Sequence, residues 1–531
     1  MWSMDTLLDA RRSLPTSPDE TDPRHASMTE LPSARSAKTR FPTLVDVSTT
    51  TRPISAPRGA VTPFDVTPQV SVPTRSLQRL HRLQTASRHV QRDLLTVLAW
   101  GSVAAALGLW VADGGLQAVT SGAKVLLAAG IVTGLVATDL MVIMLILAAR
   151  IPYVDSAIGH DRAIALHNKL GKWVLFGLLF HALFLIFGYA AQDSISVFSE
   201  FASFLGVSDL FLSVVALVTL SVVAITSIMA VKRSLPYEVW HIIHFTTYAA
   251  IGLSLPHQFS ISGLFAQGTW QRWYWVALFT LVALGLLSFR FIFPIFTSVE
   301  HHLVVSRVVL EDTDVVSIEM RGRNLDQLGA EAGQFLSWRF LASGLWWHQH
   351  PFSLSAAPTD KTLRITIRAL GRGTAKLLSV RPGTRVAVEG PYGIFTDAAR
   401  SQLGVTLVGI GIGIAPIRSL LEATAVVPGM STVILRASSP EQLYLFDEID
   451  ALCRAKGARL MALVGPRNAH ADEPTWLPGQ YGSMTLDDLV PHLTESDVYV
   501  CGPQAVADLV IDDARAAGTP ASAIHNERFS W

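Results

Sequence analysis

Apolar residues are concentrated between about residue 94 and residue 294, in runs close to the roughly 20 residues that cross a bilayer as a helix. Short polar segments separate the runs. We therefore predict an α-helical membrane bundle of six transmembrane helices within residues 93–295. The predicted spans are residues 94–112, 123–148, 170–191, 210–231, 240–257 and 273–294.

The pattern before this block is different. Residues 1–92 are rich in Ser, Thr, Pro and Arg and show no apolar periodicity, which predicts a disordered cytoplasmic tail. No apolar core follows the first basic residues, so a signal peptide is not expected. The basic stretch 79–92 fits either a short helix on the membrane surface or a solvated linker.

Beyond residue 296, short apolar or alternating segments predict β-strands. Over residues 296–400 these strands are separated by turns, which favours a small antiparallel β-barrel. Over residues 401–531 buried strands alternate with helical stretches, which predicts an α/β domain with a parallel sheet. The predicted fold class is thus a helical membrane bundle, followed by a β-barrel domain and an α/β parallel-sheet domain.

Charge assigns the two sides of the membrane. Lys and Arg cluster before the first run, between the second and third, after the fourth and at the end of the sixth, whereas segment 191–209 has none. By the positive-inside rule both termini are cytoplasmic, and we expect a multi-pass protein of the plasma membrane. The 42 basic and 42 acidic residues give a net charge of +0, which argues against a nucleic-acid partner.

Only two cysteines are present, Cys453 and Cys501, and neither lies in a CxxC or CxxCH motif. Their positions argue against zinc, iron–sulfur clusters and covalently attached haem, and they exclude a disulfide-stapled exterior. Histidines are therefore the side chains to examine for metal ligands.

Four histidines are associated with two apolar runs: His167 and His181 with the third, and His244 and His257 with the fifth. A histidine in a span is costly to keep without a partner, so two in each of two spans indicate function. The spacings of 14 and 13 residues define two levels about 20 Å apart. Depth pairs His167 with His244 and His181 with His257. This pattern suits two stacked haems, each with its iron held from both sides.

Other interpretations of these histidines stay open. A lone histidine in a span often forms an interhelical hydrogen bond instead, and His241 competes with His244 as the inner ligand. On an ideal helix, 13 residues leave His257 about 140° away from His244. A bend at Pro256 is therefore expected to correct the direction of His257.

Two charged residues of the second run are further candidates. Asp139 lies in the middle of the run, where a carboxylate is costly, and is either a polar interhelical contact or a functional group. Arg150 lies at the inner end of the run. It either meets a haem propionate or anchors the helix at the interface.

The segment His350-Pro351-Phe352-Ser353-Leu354-Ser355 resembles the flavin-binding strand of the ferredoxin–NADP reductase superfamily, in the form used by membrane ferric reductases and NADPH oxidases. The histidine pattern is similar to that of the same family's transmembrane domain. The resemblance covers roughly residues 95–531. The motifs that follow in the family's order are Gly371-Arg372-Gly373-Thr374, Gly390-Pro391-Tyr392-Gly393, Gly409 to Pro416 and Cys501-Gly502-Pro503.

The resemblance implies an FAD site on the predicted barrel. Phe352 offers its ring to the isoalloxazine, and Ser353 hydrogen-bonds near flavin N5, where the hydride arrives. Many relatives have Arg where this chain has His350, so Arg368 or Arg372 is expected to contact phosphate in its place. The other FAD-binding candidates are Pro351 and the pyrophosphate donors Gly371, Gly373 and Thr374.

The resemblance also implies a nicotinamide-nucleotide site on the parallel sheet. A glycine run lets the backbone approach the nucleotide, and the next helix offers its positive N-terminus to the pyrophosphate. Cys501 is expected beside the nicotinamide, and Trp531 is expected to cover the flavin ring. Arg436 and Ser438 would suit a 2′-phosphate, which favours NADPH over NADH. The other candidates are Gly409, Gly411, Gly413, Pro416, Gly502 and Pro503.

The implied function is that of a transmembrane oxidoreductase with FAD, two haem b groups and NADPH or NADH. Electrons would pass from cytoplasmic NAD(P)H through FAD, the inner haem and the outer haem to an acceptor outside the cytoplasm. We expect ferric iron chelates as the acceptor, with O₂ (giving superoxide) or a partner protein as alternatives. Another hypothesis makes the membrane part an anchor for a soluble reductase. The residues expected to take part in hydride transfer are Ser353, Cys501 and Trp531.

Overall fold

The computed structural model of the chain describes residues 74–528 except 229–230, 232–233, 236, 262–267, 468–474 and 482–483. Side chains are described from residue 87 onward, apart from those of Tyr237, Glu238, Arg372 and Arg528. Residues 1–73 of the predicted tail and the terminal Trp531 lie outside the described residues.

The first helix, α1, begins at Thr74 and runs without a break to Ala112. The prediction of a disordered tail is therefore wrong for residues 74–92. No proline interrupts α1, and its first turns are rich in Leu, Gln and Arg, which favour helices. The basic stretch thus extends the first membrane helix and is neither a separate surface helix nor a linker.

Four further helices follow the predicted runs to within about five residues at most ends, but α4 begins ten residues earlier, at His160 rather than 170. The last predicted run continues through a π-helical segment, Ser288–Ile292, into a further helix. The helices are α2 (Gly122–Ala148), α3 (Pro152–Ile158), α4 (His160–Asp193), α5 (Val197–Gly206), α6 (Ser208–Thr226), α7 (Tyr237–Ser260), α8 (Trp270–Leu287) and α9 (Phe293–His301). The short helices α3 and α5 lie between the runs and were not predicted.

Five segments of the described chain are long and apolar enough to cross a membrane, where six spans were predicted. The predicted span 240–257 lies on α7, which is 24 residues long but carries three histidines that lower its hydropathy. The five qualifying segments are Ser87–Ala112, Gly122–Ala148, His160–Asp193, Ser208–Thr226 and Trp270–His301.

Glycines let α2 and α4 pack closely against each other. A Cβ atom at Gly134 would overlap the ring of His181, and one at Gly177 would lie 2.9 Å from the Cβ of Ala137. Small residues at the contact between membrane helices allow their backbones to approach. This packing brings the backbone of α2 next to the histidines of α4.

Six strands form two antiparallel sheets, in the orders β1-β2-β5 and β4-β3-β6. The two sheets share one apolar core, which includes Ile318, Leu336 and Trp338. Single bridges, Val304 to Arg385 and Leu354 to Ile365, connect the sheets where a closed barrel was expected. The strands are β1 (Val304–Asp312), β2 (Val315–Arg321), β3 (Phe335–Phe340), β4 (His350–Ser353), β5 (Thr362–Arg368) and β6 (Val386–Tyr392), and the helix Arg372–Ala375 is α10.

The predicted parallel sheet is confirmed, with five strands in the order β11-β10-β7-β8-β9. The chain moves from β7 to one side and later returns to its other side at β10, so the carboxyl ends of these two strands form the position where ligands bind in such sheets. The strands are β7 (Gly404–Ile410), β8 (Ser431–Ala437), β9 (Arg459–Val464), β10 (Ser496–Gly502) and β11 (Ile524–Arg528), with helices α11 (Ile414–Ala423), α12 (Phe446–Lys456), α13 (Leu486–Leu489) and α14 (Gln504–Ala516).

Buried ion pairs join the antiparallel sheets to the parallel-sheet domain. Arg364 on β5 donates to both carboxylate oxygens of Glu448 on α12, at 3.0 and 2.9 Å. Arg418 on α11 donates to the same carboxylate at 2.7 Å and is also paired with Glu422. Since buried charges are costly unless they are paired, this network favours one orientation of the two domains.

Candidate functional site

The four histidines singled out from the sequence lie in two pairs across α4 and α7. The ring centroids of His167 and His244, the inner pair, are 6.2 Å apart with an interplanar angle of 60°. Those of His181 and His257, the outer pair, are 6.5 Å apart at 43°. The structure therefore brings together the partners that depth had suggested.

The backbone of α2 orients the two histidines of α4. His167 Nδ1 lies 3.1 Å from the carbonyl oxygen of Met144, and His181 Nδ1 lies 2.7 Å from that of Gly130. A carbonyl can only accept, so in each ring Nδ1 carries the hydrogen and Nε2 keeps its lone pair. Metal-binding histidines are commonly oriented by such a hydrogen bond.

The distance between the rings of each pair fits a shared metal ion. Imidazole nitrogens bind metals at about 2.0–2.1 Å, so two rings facing one ion from opposite sides stand roughly 6 Å apart. The observed separations of 6.2 and 6.5 Å agree with this requirement. The residues present therefore fit two groups of the bis-histidine haem type, one at each level.

The structure distinguishes between His241 and His244. Only His244 of the two is in ring contact with His167, whereas the ring of His241 lies 5.0 Å from that of Phe245. On an ideal helix His257 would point away from the side of His244. In the structure α7 is continuous through Pro256, and the ring of His257 lies against that of His181.

The two charged residues near the second run make protein contacts. Ser102 on α1 donates to the Asp139 carboxylate at 2.6 Å, which makes Asp139 a polar interhelical contact. Arg150 Nη1 lies 2.7 Å from Glu389 Oε1 on β6. The sequence interpretation of Arg150 as a propionate ligand or interfacial anchor did not include this ion pair with the flavin-motif strand.

The predicted flavin strand is β4, and its aromatic side chains stack along it. The rings of His350 and Phe352 are 5.8 Å apart and nearly parallel, at 12°. Burial, with a smaller effect from His348, lowers the pKa of His350 to about 4. His350 is therefore neutral near pH 7 and supplies no positive charge to a phosphate.

Polar groups of the proposed phosphate loop are engaged inside the protein. Arg368 forms an ion pair with Asp314 at 2.8 Å, and the side chain of Arg372 lies outside the described part of the chain. Thr374 Oγ1 accepts from the Gly371 N–H at 3.1 Å and donates to the Gly371 carbonyl at 3.1 Å. The Thr374 hydroxyl thus stabilises the turn, and it is not the free donor that the sequence interpretation required.

The glycine run lies at the carboxyl end of β7, as predicted. It forms a tight turn over Gly411–Gly413, with a φ of 56° at Gly411, and α11 with Pro416 in its first turn begins directly afterwards. A Cβ atom at Gly413 would collide with the backbone of Cys501. The ends of β7 and β10 therefore meet, with Gly409 on one strand and Gly502 and Pro503 leading away from the other.

Glu527, which was not identified from the sequence, connects the two proposed nucleotide sites. Ser353 Oγ donates to Glu527 Oε2 at 3.4 Å, and Cys501 Sγ lies 3.9 Å from the Glu527 carbonyl oxygen. The parallel register of β10 and β11 sets Cys501 opposite Glu527. No motif of the sequence pointed to Glu527, because its contact with Ser353 joins residues that lie far apart in the chain.

Burial controls the protonation of this cluster. It raises the pKa of the Glu527 carboxyl well above the usual value, and Asp161 adds to the effect. Burial also raises the pKa of the Cys501 thiol well above its usual value. Burial therefore favours the uncharged forms of the Glu527 carboxyl and the Cys501 thiol, which lie beside the Ser353 hydroxyl.

Arg436 does not face the edge where an adenosine phosphate would bind. It is 3% exposed, and its guanidinium donates to the carbonyl oxygens of Trp476 at 2.8 Å and Leu463 at 3.5 Å, and to that of Ala437. Ser438 is exposed. The structure therefore removes the main reason for preferring NADPH over NADH, because the predicted phosphate ligand is held by the sheet backbone.

Comparison with known proteins gives three matches in tandem. Residues 133–255 match the ferric reductase like transmembrane component, and this range includes all of the paired histidines except His257. Residues 301–396 match an FAD-binding domain, and residues 407–512 match an oxidoreductase NAD-binding domain. The order is that expected from the sequence motifs.

Curated relatives share parts of the chain. NADPH oxidase 1 of Mus musculus is 29% identical over 159 residues, which cover 29% of this chain and 25% of that protein. A flavohemoprotein of Xylella fastidiosa is 26% identical over 212 residues (38% and 51%). The ferredoxin reductase component of a Rhodococcus rhodochrous 3-ketosteroid-9-alpha-monooxygenase is 28% identical over 242 residues (43% and 64%). The chain thus spans from 25% to 64% of the length of these relatives. The chain thus combines a ferric reductase like transmembrane component with FAD-binding and NAD-binding oxidoreductase domains, and it is similar to NADPH oxidase 1.

Proposed function

We propose that this chain takes electrons from cytoplasmic NAD(P)H and delivers them across the plasma membrane to an acceptor outside, with ferric iron chelates as the physiological acceptor. The single observation that carries the proposal is the pairing of His167 with His244 and of His181 with His257 at ring distances of 6.2 and 6.5 Å. Two such pairs at different depths suit two one-electron carriers in series.

The membrane residues have defined tasks in this proposal. His167 and His244 would hold the inner haem b, and His181 and His257 the outer one. A haem held by two histidines at each level would supply one-electron transfer rather than oxygen binding. The carbonyls that receive the two Nδ1–H groups of α4 fix the rings with Nε2 toward the shared site.

The soluble residues would bring the two nucleotides together. We propose that FAD lies along β4, with Phe352 against the ring system, and that NAD(P)H lies at the carboxyl ends of β7 and β10. Bound FAD supplies the conversion between hydride and single-electron chemistry. Ser353 and Cys501 flank that position, and Glu527, whose uncharged form is favoured by burial, holds Ser353 in place.

The orientation follows from the charge asymmetry of the predicted loops. With the basic loops inside, the inner pair and the nucleotide domains share the cytoplasmic side. Each electron moving outward is then assisted by an inside-negative potential, by about 2.3 kcal/mol per 100 mV. Transfer to an outside acceptor is the direction that the membrane potential favours.

Reduction of O₂ to superoxide is the second candidate, and the observation that favours it is the relative named NADPH oxidase 1. A partner protein as acceptor is the third. Intact cells that express the chain, assayed in parallel for ferrous chelate and for superoxide, separate the three. Ferrous chelate without superoxide supports the proposal, superoxide alone supports the second candidate, and neither product supports a partner protein.

A spectrum of the purified protein tests the histidine pairs directly. We expect a reduced-minus-oxidised b-type signal near two haems per flavin. A preparation with full flavin occupancy and no haem would contradict the proposal and would favour the hypothesis of a membrane anchor carrying a soluble reductase.

A further inference from the structure

Glu389 lies on β6, directly before the flavin motif Gly390-Pro391-Tyr392-Gly393, and is 8% exposed. Its carboxylate is the meeting point of four side chains from different parts of the molecule. The contacts are Arg150 Nη1 at 2.7 Å, Arg290 Nη1 at 3.5 Å, Tyr392 OH at 2.9 Å and Gln349 Nε2 at 2.5 Å.

The two guanidinium groups come from the membrane region. Arg150 lies two residues after the end of α2, and Arg290 lies in the π-helical segment after α8. Burial opposes the charge on Glu389, but the attraction of Arg150 and Arg290 and the hydrogen bonds from Gln349 and Tyr392 together lower the pKa of its carboxyl below the usual value. Glu389 is therefore an anion that holds two cations together near the flavin motif.

Tyr392, the aromatic residue of the same motif, contacts a third membrane helix. Its ring lies 5.0 Å from that of His160 in a stacked arrangement. The Arg150 guanidinium carbon lies over the Tyr392 ring, 5.3 Å from its centroid. His160 is the first residue of α4 and is held by Asp155 at 3.3 Å. Glu389 and Tyr392 thus contact the residues that follow α2 and α8 and the first residue of α4.

Two of these contacts lie only a few residues along the chain from the inner pair or from a residue that orients it. His160 precedes His167 by seven residues of one helix, a rise of about 10 Å. Arg150 follows Met144, whose carbonyl orients His167, by six residues. Since helices are stiff over such lengths, a change at Glu389 or Tyr392 alters the position of the flavin motif relative to His167.

We propose that Glu389 is a positioning residue: with Arg150, Arg290 and Tyr392 it forms a clamp that sets the separation between the flavin site and the inner pair. The inference rests on the proposed function. Without the carboxylate, the two partly buried guanidinium groups would repel each other. The flavin motif would then no longer be held at one position against the membrane helices. The clamp acts on electron transfer out of the flavin and has no part in hydride transfer into it.

The test compares Glu389→Gln with Glu319→Gln in the full-length holoprotein. Glu319 lies on β2 of the same domain and is 3.8 Å from Arg321 of its own strand, so it is a matched control away from the membrane contacts. Flavin reduction by NADPH should change by less than about twofold in both variants. Haem reduction by the flavin should slow on the order of 10- to 100-fold in Glu389→Gln only, because small misplacements of reacting groups have large effects on rate.

A distance measurement provides a readout that does not depend on turnover. Cys453 and Cys501 are buried, so spin labels attach selectively to cysteines introduced at Trp173 on α4 and Leu310 on β1, which are 63% and 63% exposed. Glu389→Gln should broaden the distance distribution between the labels, and Glu389→Asp, which restores the charge, should narrow it again. If Glu389→Gln does not accumulate, Arg290→Gln removes one of the two ion pairs of Glu389. It should also broaden the distance distribution and slow haem reduction, but by less.

Each result bears on the clamp in a defined way. Unchanged haem reduction with an unchanged distance distribution would overturn it. Equal slowing of flavin reduction and haem reduction would also overturn it, since Glu389 would then serve flavin binding itself. A protein that lacks haem would refute the proposed function, while the distance distribution would still decide whether Glu389 seats the flavin motif.

Discussion

The inner and outer histidine pairs and the cluster of Ser353, Cys501 and Glu527 are built by different physical means. In the membrane, two helices present side chains at matched depth, and the backbone of a third helix supplies the orienting carbonyls. In the soluble region, a strand of one sheet meets the edge of another through a buried carboxyl. The membrane site depends on helix period and close packing, whereas the soluble site depends on strand order and on burial.

The comparison also concerns charge. The paired histidines need no ionised partner, because each Nδ1–H of α4 is satisfied by a peptide carbonyl. Two arginines that the sequence offered as phosphate ligands in the soluble region are engaged by the protein itself: Arg368 by Asp314 and Arg436 by backbone carbonyls. A motif residue in the soluble region is thus available to a ligand only if no internal partner holds it.

The largest effect is expected for His244→Ala, with His241→Ala as its matched control one turn away on α7. In the proposed function both imidazoles of the inner pair would hold one haem, so His244→Ala should lose one of two haem equivalents and slow transfer to outside acceptors by more than about 100-fold, beyond the loss typical of outer-shell changes. The reduced-minus-oxidised spectrum and a ferric chelate assay measure this. Equal haem loss in His241→Ala would break the assignment of the inner pair.

Gly134→Ala should have the next largest effect and sharpens the packing side of the comparison. Its Cβ atom would overlap the His181 ring, so the outer pair should lose haem or show a shifted spectrum. Gly101→Ala on α1 is the control, since no atom lies within 4 Å of its Cβ position. That change should be neutral or stabilise the helix by about 1 kcal/mol. Two variants with the same spectrum would show that α2 does not constrain His181.

Glu527→Gln tests burial in the soluble cluster. Burial favours the protonated form of Glu527, so Gln, a neutral isostere, should leave NADPH-dependent dye reduction within about threefold of wild type at neutral pH. In the folded protein the carboxyl keeps a proton that the unfolded chain loses above about pH 4.5, so it makes stability fall as pH rises from there to the raised pKa. Thermal unfolding across pH should show that slope in wild type and a smaller one in Glu527→Gln.

The smallest effect is expected on coenzyme choice in Arg436→Gln. Because the guanidinium is bound to backbone carbonyls, the ratio of kcat/KM for NADPH to that for NADH should change by less than about threefold. A contact with the 2′-phosphate worth roughly 1.4 kcal/mol would instead change this ratio about 10-fold. Steady-state kinetics with both coenzymes on the same preparation measure the ratio. A selective rise in KM for NADPH would restore Arg436 as a phosphate ligand and weaken the contrast between the two regions.

Much of the fold followed from the sequence because its signals are local. Apolar runs located the membrane helices, and alternating strands and helices gave the parallel sheet. The end of α1 toward the tail was missed, since a helix extended past the apolar run has no hydrophobic marker. A small antiparallel barrel was expected from apolar and alternating segments separated by turns, but whether two sheets join edge to edge depends on twist and on contacts between distant strands.

By itself, the sequence determined which residues could share a level or an edge: the histidine pairs by depth, and the glycine run and Cys501 by the ends of buried strands. Only the tertiary structure decided which side chains are free and which are held, because a hydrogen bond or ion pair forms between residues far apart in the chain. The structure pairs His244, rather than His241, with His167. It shows Arg436 and Thr374 bonded within the protein, and it places Glu527 beside Ser353 and Glu389 beside Arg150.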